Sequence, residues 1–260
     1  MRDKTYFISD LHLGSGTVAD RKAREAVVVG FLRSIREDAR ALYLLGDILD
    51  YWYEYRTVVP RGFVRFFGVL AELADCGVEI FWMVGNHDVW LFDYLSSEIG
   101  LTVLDPAGGG MQIKLNGTRI FIAHGDGIGD VPPAMGLMRR IFRNRLCQAL
   151  YSAVHPRWTV GLALGLSAGS RRHGMKEAVR RLVVERSMAS VRKFAENYSS
   201  AHPDVRYIVL GHYHLAIDEP VGKSCRLIIL GDWISHFTYG VFDGKIMHLK
   251  QYATDAQCIN

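Results

Sequence analysis

Short apolar runs alternate with amphipathic segments in the first third of the chain. Thr5–Ile8, Ala41–Leu45 and Val78–Val84 are continuous apolar runs, and each predicts a buried strand. Between them, Arg24–Glu37 and Phe63–Ala74 carry apolar residues at helical spacing and predict two amphipathic helices. Strand–helix–strand alternation is typical of a parallel sheet in an α/β fold. The carboxyl ends of the strands then open onto one edge of that sheet.

The second half of the chain predicts a further sheet and a helical insertion. Asn116-Gly117 between two apolar runs, Met111–Leu115 and Thr118–Ala123, indicates a hairpin with a type I′ turn. Further strands are predicted at Arg206–Leu210, Arg226–Leu230, Thr238–Phe242 and Lys245–Tyr252. Residues 131–201 are helical by period and interrupt the strand series. We therefore expect a core at 1–130 and 202–252, a helical cap at 131–201 and a loose tail at 253–260.

Composition excludes several classes of protein. The chain has 260 residues, of which 49% are hydrophobic and 22% charged, so it is neither disordered nor collagen-like. No signal-peptide pattern precedes the first strand, and the longest apolar stretch, Trp158–Ala168, is too short to span a bilayer as a helix. Widely spaced cysteines without a CxxC pattern indicate reduced thiols. We expect a cytoplasmic protein, peripheral to the inner membrane. The cysteines are Cys76, Cys147, Cys225 and Cys258.

The net charge of +4 conceals an asymmetry. Residues 131–201 contain thirteen Lys/Arg and three Asp/Glu, a local charge of +10, which leaves −6 for the rest. The acidic part can hold cations, and the basic part can attract an anion or an anionic lipid surface. The alternative is a set of solvated helices whose polar faces point outward.

Five motifs follow predicted strands, where their side chains can converge beyond the sheet edge. Carboxylate, imidazole and amide groups in this mixture suit divalent metal ions. Any one motif alone has a structural explanation, such as a turn asparagine or a packed histidine. Five motifs in this order, each after a strand, indicate one shared metal site. They are Asp10-Leu11-His12, Gly46-Asp47-Ile48-Leu49-Asp50, Gly85-Asn86-His87-Asp88, His124-Gly125-Asp126 and Gly211-His212-Tyr213-His214.

This motif series resembles the calcineurin-like metallophosphoesterase superfamily over residues 5–214. The resemblance implies an α/β fold, a two-sheet αββα sandwich with an inserted helical cap, and two divalent metal ions. Mn²⁺ is the usual activating ion by resemblance, while Mg²⁺, Fe and Zn²⁺ stay open. The first ion would be held by Asp10, His12, Asp47 and His214. The second ion would be held by Asp47, Asn86, His124 and His212, which makes Asp47 the bridging ligand.

The implied chemistry is hydrolysis of a phosphoester. Two nearby cations lower the pKa of a water molecule and stabilise the phosphoryl oxygens. His87, beside the ligand Asn86, is predicted to stabilise phosphoryl charge or to protonate the leaving oxygen, with packing as the alternative role. Asp88 is predicted to assist catalysis, since Asp88 or Asp50 can orient His87 or a metal ligand.

Three further segments resemble the UDP-2,3-diacylglucosamine hydrolases of lipid A synthesis. Asp50-Tyr51-Trp52 is similar to their acidic-x-Trp stretch, and Leu230-Gly231-Asp232-Trp233 to their Leu-Gly-x-Trp segment. The insertion has the size and helical character of their lipid-binding cap. Tyr51–Tyr55 and Phe237–Gly244 are most similar to the branch found in Bacteroidetes-type bacteria. One departure is His87, because enterobacterial-type members carry arginine at that position.

That resemblance implies cleavage of UDP-2,3-diacylglucosamine to UMP and 2,3-diacylglucosamine 1-phosphate. The cap interleaves arginines with apolar residues, which suits a lipid nucleotide and an anionic leaflet; the alternative is that the apolar residues only hold cap to core. Few aromatic residues accompany the arginines, so nucleic acid is not expected as a partner. The substrate contacts predicted are Asn86, His87, Asp130, Arg171, Arg172 and His212.

Two other functions stay open at this point. One is a metallophosphoesterase that acts on a different phosphomonoester or phosphodiester, such as a nucleotide, a phosphoprotein or a nucleic acid. The other is a binding scaffold without catalysis, which should have lost metal ligands, whereas all the expected ligands are present. The acyl-chain preference and the oligomeric state are not readable from the sequence.

Overall fold

The computed structural model describes residues 2–16, 18, 20–161 and 177–253, and the side chains in these ranges except those of 177–181. The predicted loose tail lies outside the described residues from position 254 onward, so that prediction is not tested. Within the described residues the fold is a sandwich of two sheets with helices on both outer faces. The predicted αββα architecture is confirmed.

The first sheet has the strand order β11-β10-β1-β2-β3-β4. Strands β1 to β4 run parallel, while β10 pairs antiparallel with both β1 and β11. Parallel pairing brings the carboxyl ends of β1, β2 and β3 to one edge, where the polar motifs begin. The strands are β1 (Lys4–Ile8), β2 (Ala39–Leu45), β3 (Glu79–Met83), β4 (Thr102–Leu104), β10 (Thr238–Phe242) and β11 (Met247–Gln251).

The second sheet has the order β5-β6-β7-β9-β8. Its central strands β6, β7 and β9 are parallel, and β5 and β8 pair antiparallel at the two edges. The carboxyl ends of β6 and β7 carry His124 and the Gly211–His214 motif, respectively. The strands are β5 (Met111–Leu115), β6 (Thr118–Ala123), β7 (Val205–Leu210), β8 (Ala216–Val221) and β9 (Cys225–Leu230).

Three apolar layers hold the sandwich together. One lies between the two sheets and contains Phe7, Tyr43 and Ile122. A second lies between the first sheet and the helices α1 and α2, and a third between the second sheet and α6. Burial of these layers supplies the main driving force for folding. The helices are α1 (Arg21–Ser34), α2 (Val64–Asp75), α3 (Tyr94–Ile99), α4 (Pro133–Arg143), α5 (Arg145–Ala153) and α6 (Glu177–Ala201).

The described part of the segment between β6 and β7 contains α4, α5, a helical turn at residues 156–161 and α6, joined by loops. Its last helix belongs partly to the sandwich, because Met188, Val191 and Ala195 pack with Phe121 and Ile208 of the second sheet. The division into core and cap at residues 131 and 201 stays a prediction. No helix in the described part of the chain has both the length and the apolar composition needed to cross a bilayer.

A row of aromatic side chains joins the insertion to the core. The Tyr51 and Tyr151 hydroxyls lie 3.0 Å apart, and the Tyr55 hydroxyl lies 2.5 Å from Thr159 Oγ1. Trp90 stacks on Tyr151 with ring centroids 5.0 Å apart. Burial, followed by the hydrogen bonds to Tyr151 and Tyr55, raises the pKa of Tyr51 far above its ordinary value, so its hydroxyl stays neutral. We call Tyr51, Tyr55, Trp90, Tyr151 and Thr159 together the tyrosine seam.

Candidate metal centre

Seven side chains predicted as metal ligands meet at the shared edge of the two sheets. They come from five loops, each of which directly follows the carboxyl end of a strand. Convergence at this edge follows from the parallel pairing of β1, β2 and β3 in one sheet and of β6 and β7 in the other. The loops carry Asp10 and His12, then Asp47, then Asn86, then His124, then His212 and His214.

Asp47 is at the middle of the cluster. Its Oδ2 lies 3.7 Å from His12 Nε2 and 3.4 Å from His124 Nε2. Ligand atoms that share one ion at about 2.1 Å lie about 3–3.5 Å from one another, so these separations are close to those of a metal site. Asp47 belongs to one possible ligand group with His124 and His212, and to another with His12 and His87.

Asp10 occupies the other side of the cluster. Its Oδ1 lies 3.5 Å from His214 Nε2 and 3.9 Å from His12 Nε2. The remaining oxygen, Oδ2, accepts the backbone N–H of His212 at 2.8 Å. Asp10, His12 and His214 form the third ligand group. On the opposite side, Asn86 Oδ1 lies 3.2 Å from His124 Nε2.

The residues present fit a pair of divalent cations. Asp10 Oδ1 is fully buried and has no hydrogen-bond partner among the described residues. A buried carboxylate oxygen without a partner is costly, and a cation beside it removes that cost. Two buried carboxylates, an amide oxygen and imidazole nitrogens are donors that suit divalent ions of intermediate hardness.

Backbone strain is concentrated in the same loops. Asp10, His12, Asp47, His212 and His214 all have positive φ, between 43° and 69°. Residues other than glycine rarely adopt this left-handed conformation, and its cost is tolerated where a site requires it. Here it turns successive side chains out of the strands and toward one point.

Glycines allow the loops to approach closely. A Cβ at Gly46, which has φ of 84°, would lie 2.6 Å from His124 Nδ1. A Cβ at Gly85 would overlap both the backbone nitrogen and the carboxylate of Asp47. The glycines that precede Asp47 and Asn86 are therefore required by close contact between loops.

Each of three histidines predicted as metal ligands is oriented through its Nδ1 atom. His124 Nδ1 lies 2.9 Å from the carbonyl oxygen of Leu45, and His12 Nδ1 lies 3.2 Å from Asp50 Oδ1. His214 Nδ1 lies 3.2 Å from Asp232 Oδ2. Carbonyl and carboxylate oxygens only accept, so Nδ1 donates in each case. The Nε2 lone pair is then left free to bind a metal ion.

The charges of the cluster are set by burial and by neighbouring groups. Burial alone would raise the pKa of Asp47, but His124, His87 and His12 together outweigh it and hold that pKa well below its ordinary range. Burial, reinforced by the nearby His124, lowers the pKa of His212 to about 3. His212 is therefore neutral near pH 7 and can serve as a ligand.

Comparison with known proteins identifies the family. The model of the family described as "Calcineurin-like phosphoesterase" matches residues 4–216, which is most of the chain. The chain belongs to the calcineurin-like phosphoesterase family. A protein of Porphyromonas gingivalis named "UDP-2,3-diacylglucosamine hydrolase" is 45% identical over 96% of this chain and 98% of its own length. The predicted resemblance, including its Bacteroidetes-type branch, is confirmed.

A second curated protein and one solved structure also match most of the chain. A protein of the same name from Edwardsiella ictaluri is 28% identical over 94% of this chain and 90% of its own length. A solved structure titled as a dimetal phosphatase from Danio rerio is 16% identical, with a TM-score of 0.47, and covers 95% of each chain. The family match and the candidate ligand groups, independently of that structure, support divalent metal ions as the cofactors of this phosphoesterase.

His87 lies beside His12 and Asp47 and is partly exposed. Its backbone N–H donates to Asp47 Oδ1 at 2.8 Å, and its Nδ1 lies 3.0 Å from the carbonyl oxygen of Asp50. Nδ1 therefore donates, and Nε2 carries a proton only when the ring is charged. The ring meets His12 edge-on at 4.8 Å, and its side chain is 23% exposed. A substrate can reach this imidazole.

Asp88 lies beneath the cluster and is fully buried. Its carboxylate accepts from the backbone N–H groups of Asp47, Ile48 and Gly85 and from Trp82 Nε1, at 2.8–3.2 Å. These bonds connect the loops after β2 and β3. This placement fits the orienting role considered for Asp88, because the carboxylate holds the Asp47 backbone in position.

The remaining predicted substrate contacts lie elsewhere. Asp130 is exposed in the loop before α4 and has no hydrogen bond or ion pair among the described residues. Arg171 and Arg172 fall outside the described residues. Asp232, which bonds to His214, is a candidate functional residue that the sequence analysis did not predict. It follows the carboxyl end of β9 in the pair Gly231-Asp232, just as Gly46-Asp47 follows β2. The repeated Gly-Asp pair after a strand could have identified Asp232 from the sequence.

Asp232→Asn should weaken metal binding by about 10- to 100-fold, which is typical when the residue that orients a metal-binding histidine is changed. The new amide can present an N–H to His214 Nδ1, which favours the tautomer with a proton on Nε2. That proton blocks coordination. Metal content after dialysis measures the effect, and Asp204→Asn, which changes a surface pair with Arg119, is the control. Full metal content in Asp232→Asn would show that His214 needs no such orientation.

Proposed function

We propose that this phosphoesterase hydrolyses the pyrophosphate of UDP-2,3-diacylglucosamine, releasing UMP and 2,3-diacylglucosamine 1-phosphate. The observation that carries the proposal is the 45% identity to the Porphyromonas gingivalis protein over 96% of this chain. Coverage of that extent includes the helical insertion as well as the seven candidate metal-ligand side chains, which we call the metal cluster. The substrate proposal therefore does not depend on the conserved chemistry of the family alone.

The proposal assigns each side chain of the cluster a role. Asp47 is the carboxylate shared by two ions, since it lies within 3.7 Å of histidine nitrogens on both sides. Mn²⁺ is the ion that we propose for both positions. Asp10, His12 and His214 complete the first set of ligands, and Asn86, His124 and His212 the second.

When bound, the cations supply positive charge for the phosphoryl oxygens and lower the pKa of a water molecule. The protein contributes the geometry. Hydrogen bonds from Nδ1 keep the Nε2 atoms of His12, His124 and His214 pointing inward. His87 is partly exposed beside the site and can donate through Nε2 to a phosphoryl or leaving oxygen when its ring is charged.

An apolar pocket next to Asn86 supports a lipid substrate. It has a volume of about 110 Å³ and is lined by Val89, Met135, Met138 and Phe142, among others. Arg143 bonds to Asp105 at 3.1 Å. Arg139 lies 3.6 Å from Asp126, and its buried Nη1 makes no hydrogen bond among the described residues. The four apolar side chains of the lining suit the start of an acyl chain.

The outer surface of α4 and α5 supports contact with an anionic membrane. Leu137, Leu146 and Leu150 are 58%, 69% and 63% exposed. Residues 131–176 contain eight Lys/Arg and no acidic residue. Exposed leucines beside arginines suit shallow insertion among anionic lipids. In this proposal the protein works at the cytoplasmic surface of the inner membrane, and Asp130, Arg171 and Arg172 contact the substrate.

The test is hydrolysis of the lipid nucleotide. Purified protein with Mn²⁺ should release UMP from UDP-2,3-diacylglucosamine presented in vesicles that contain anionic phospholipid, and it should sediment with those vesicles at low ionic strength. A chelator should stop the release. The control is the Asn86→Ala variant, which keeps the fold but lacks one ligand of the second set.

Two outcomes would contradict the proposal. Rapid cleavage of a cyclic nucleotide, a phosphopeptide or DNA without any release of UMP would assign another substrate to the same metal centre. A function of the protein that continues after a chelator has removed the metal ions would instead favour a binding scaffold without catalysis.

A further inference from the structure

A second pocket, larger than the first, lies beside the loop that carries His12. It has a volume of about 400 Å³, within the usual range for a small-molecule site. Leu13, which follows the ligand His12, lines it together with Asp50, whose carboxylate bonds to His12. The apolar pocket of the lipid proposal adjoins Asn86 instead. The two pockets therefore adjoin different loops of the metal cluster, one next to His12 and the other at Asn86.

Three arginines surround this second pocket, which we call the arginine pocket. Arg21 begins α1, Arg61 precedes α2, and Arg157 lies in the helical insertion. In the part of the chain that the structure describes, none of their guanidinium groups makes a hydrogen bond or an ion pair. They differ in this respect from Arg139 and Arg143 of the apolar pocket, which face carboxylates.

The only acidic side chain in the described lining does not neutralise them. Asp50 points its carboxylate toward His12 Nδ1 at 3.2 Å and also lies 3.8 Å from His87 Nδ1. Its charge is thus directed into the metal cluster. Three cations from separate segments at one opening create an attractive potential for an anion. Guanidinium groups are also the preferred donors to phosphate oxygens.

The remaining walls of the arginine pocket are apolar and partly aromatic. Tyr51, Val59, Phe63 and Val160 are among them. Phe63 has φ of 61°, which is a strained, left-handed conformation for a bulky residue. Strained backbone of this kind is most common at ligand-binding sites. An aromatic wall beside arginines suits a flat heterocyclic base with a phosphate attached.

We infer that the arginine pocket binds the nucleotide end of the substrate, with Arg21, Arg61 and Arg157 contacting phosphate and ribose oxygens. This inference rests on the proposed function, in which the substrate has a lipid end and a uridine end. The apolar pocket beside Asn86 then receives the lipid end. The scissile phosphate lies between the two pockets, next to the metal ligands.

The test is the affinity for UMP, measured by calorimetry with the full-length Mn²⁺-loaded protein. Arg61→Gln and Arg157→Gln should each weaken UMP binding by about 5-fold, and the double variant by about 25-fold, because each removes one charge-assisted contact at an exposed rim. Arg65→Gln is the matched control. Arg65 is an exposed arginine four positions beyond Arg61 and lies at a different surface cleft.

Two comparisons make the measurement specific. Unsubstituted protein should bind UMP more tightly than inorganic phosphate, since phosphate has no base to occupy the aromatic wall. Inhibition of bis(4-nitrophenyl) phosphate hydrolysis by 2,3-diacylglucosamine 1-phosphate should be the same in the double variant as in the unsubstituted protein. Equal affinity for UMP and phosphate, unchanged UMP affinity in the double variant, or selective loss of lipid-product inhibition would each overturn the inference.

The result can be separated from the fate of the proposed function. UMP binding that depends on Arg61 and Arg157, in a protein that releases no UMP from the lipid nucleotide, would support the nucleotide pocket and contradict the lipid substrate. Release of UMP with unchanged affinities in the variants would support the substrate and contradict the pocket.

Discussion

Asp47→Ala should lower kcat/KM for phosphoester hydrolysis by about four orders of magnitude, which corresponds to about 5.5 kcal/mol of transition-state stabilisation. Asp47 is the carboxylate nearest to the histidines on both sides of the cluster, at 3.7 Å and 3.4 Å. In the proposed assignment, its removal would take one ligand from each ion and would remove negative charge that offsets the repulsion between the two cations. A steady-state assay with bis(4-nitrophenyl) phosphate measures the loss without depending on the lipid substrate.

Metal content should fall in the same variant, because both ligand sets are incomplete. Elemental analysis after dialysis is the independent measurement. Asp75→Ala is a suitable control, since Asp75 is exposed at the end of α2 and lies far from the cluster in the fold. Near-normal turnover in Asp47→Ala, or two ions retained per chain, would disprove the shared-ligand assignment.

Gly85→Ala should remove most of the activity although it alters no ligand. The added methyl group would overlap the backbone nitrogen and the carboxylate of Asp47, so the loops after β2 and β3 must separate. Displacement of a catalytic group by about 1 Å commonly costs about 100-fold in rate. Overpacking should also destabilise the fold by about 1–3 kcal/mol. Urea denaturation and the chromogenic assay measure the two effects separately.

Gly68→Ala is the matched control for that substitution. Gly68 is exposed within α2, and a Cβ there would have no heavy atom within 4 Å. Alanine in a helix is favoured over glycine, so this variant should be more stable by about 0.5–1 kcal/mol and fully active. If Gly85→Ala kept full activity, the contact between the two loops would be unimportant for Asp47.

The hydrophobic pattern predicted most of the sheet framework because most strands are buried and continuous. The hairpin was predicted with its bounds, and the positive φ of both Asn116 and Gly117 is that of the expected type I′ turn. Strand β8 was missed, since its sequence contains Asp218, Glu219 and Pro220. Proline is tolerated there because β8 is an edge strand. Strand β4 has only three residues, too few for a pattern.

The grouping of the metal cluster was predictable for a physical reason. Parallel strands bring their carboxyl ends to one edge, so polar motifs after such strands must converge. The arginine pocket was not predictable in this way. Arg21 and Arg61 come together because α1 packs beside α2, and Arg157 joins them only because the insertion packs on the core.

The tyrosine seam constrains how this protein can be recombined with its relatives. Tyr51 immediately follows Asp50, which bonds to His12, while the hydroxyl of Tyr51 meets Tyr151 of the insertion. A chimera that exchanged only the inserted helices would leave the Tyr51 and Tyr55 hydroxyls without their partners Tyr151 and Thr159. The loss would disturb the segment next to Asp50 and His12. A functional chimera must therefore exchange residues 51–55 together with the insertion that they contact.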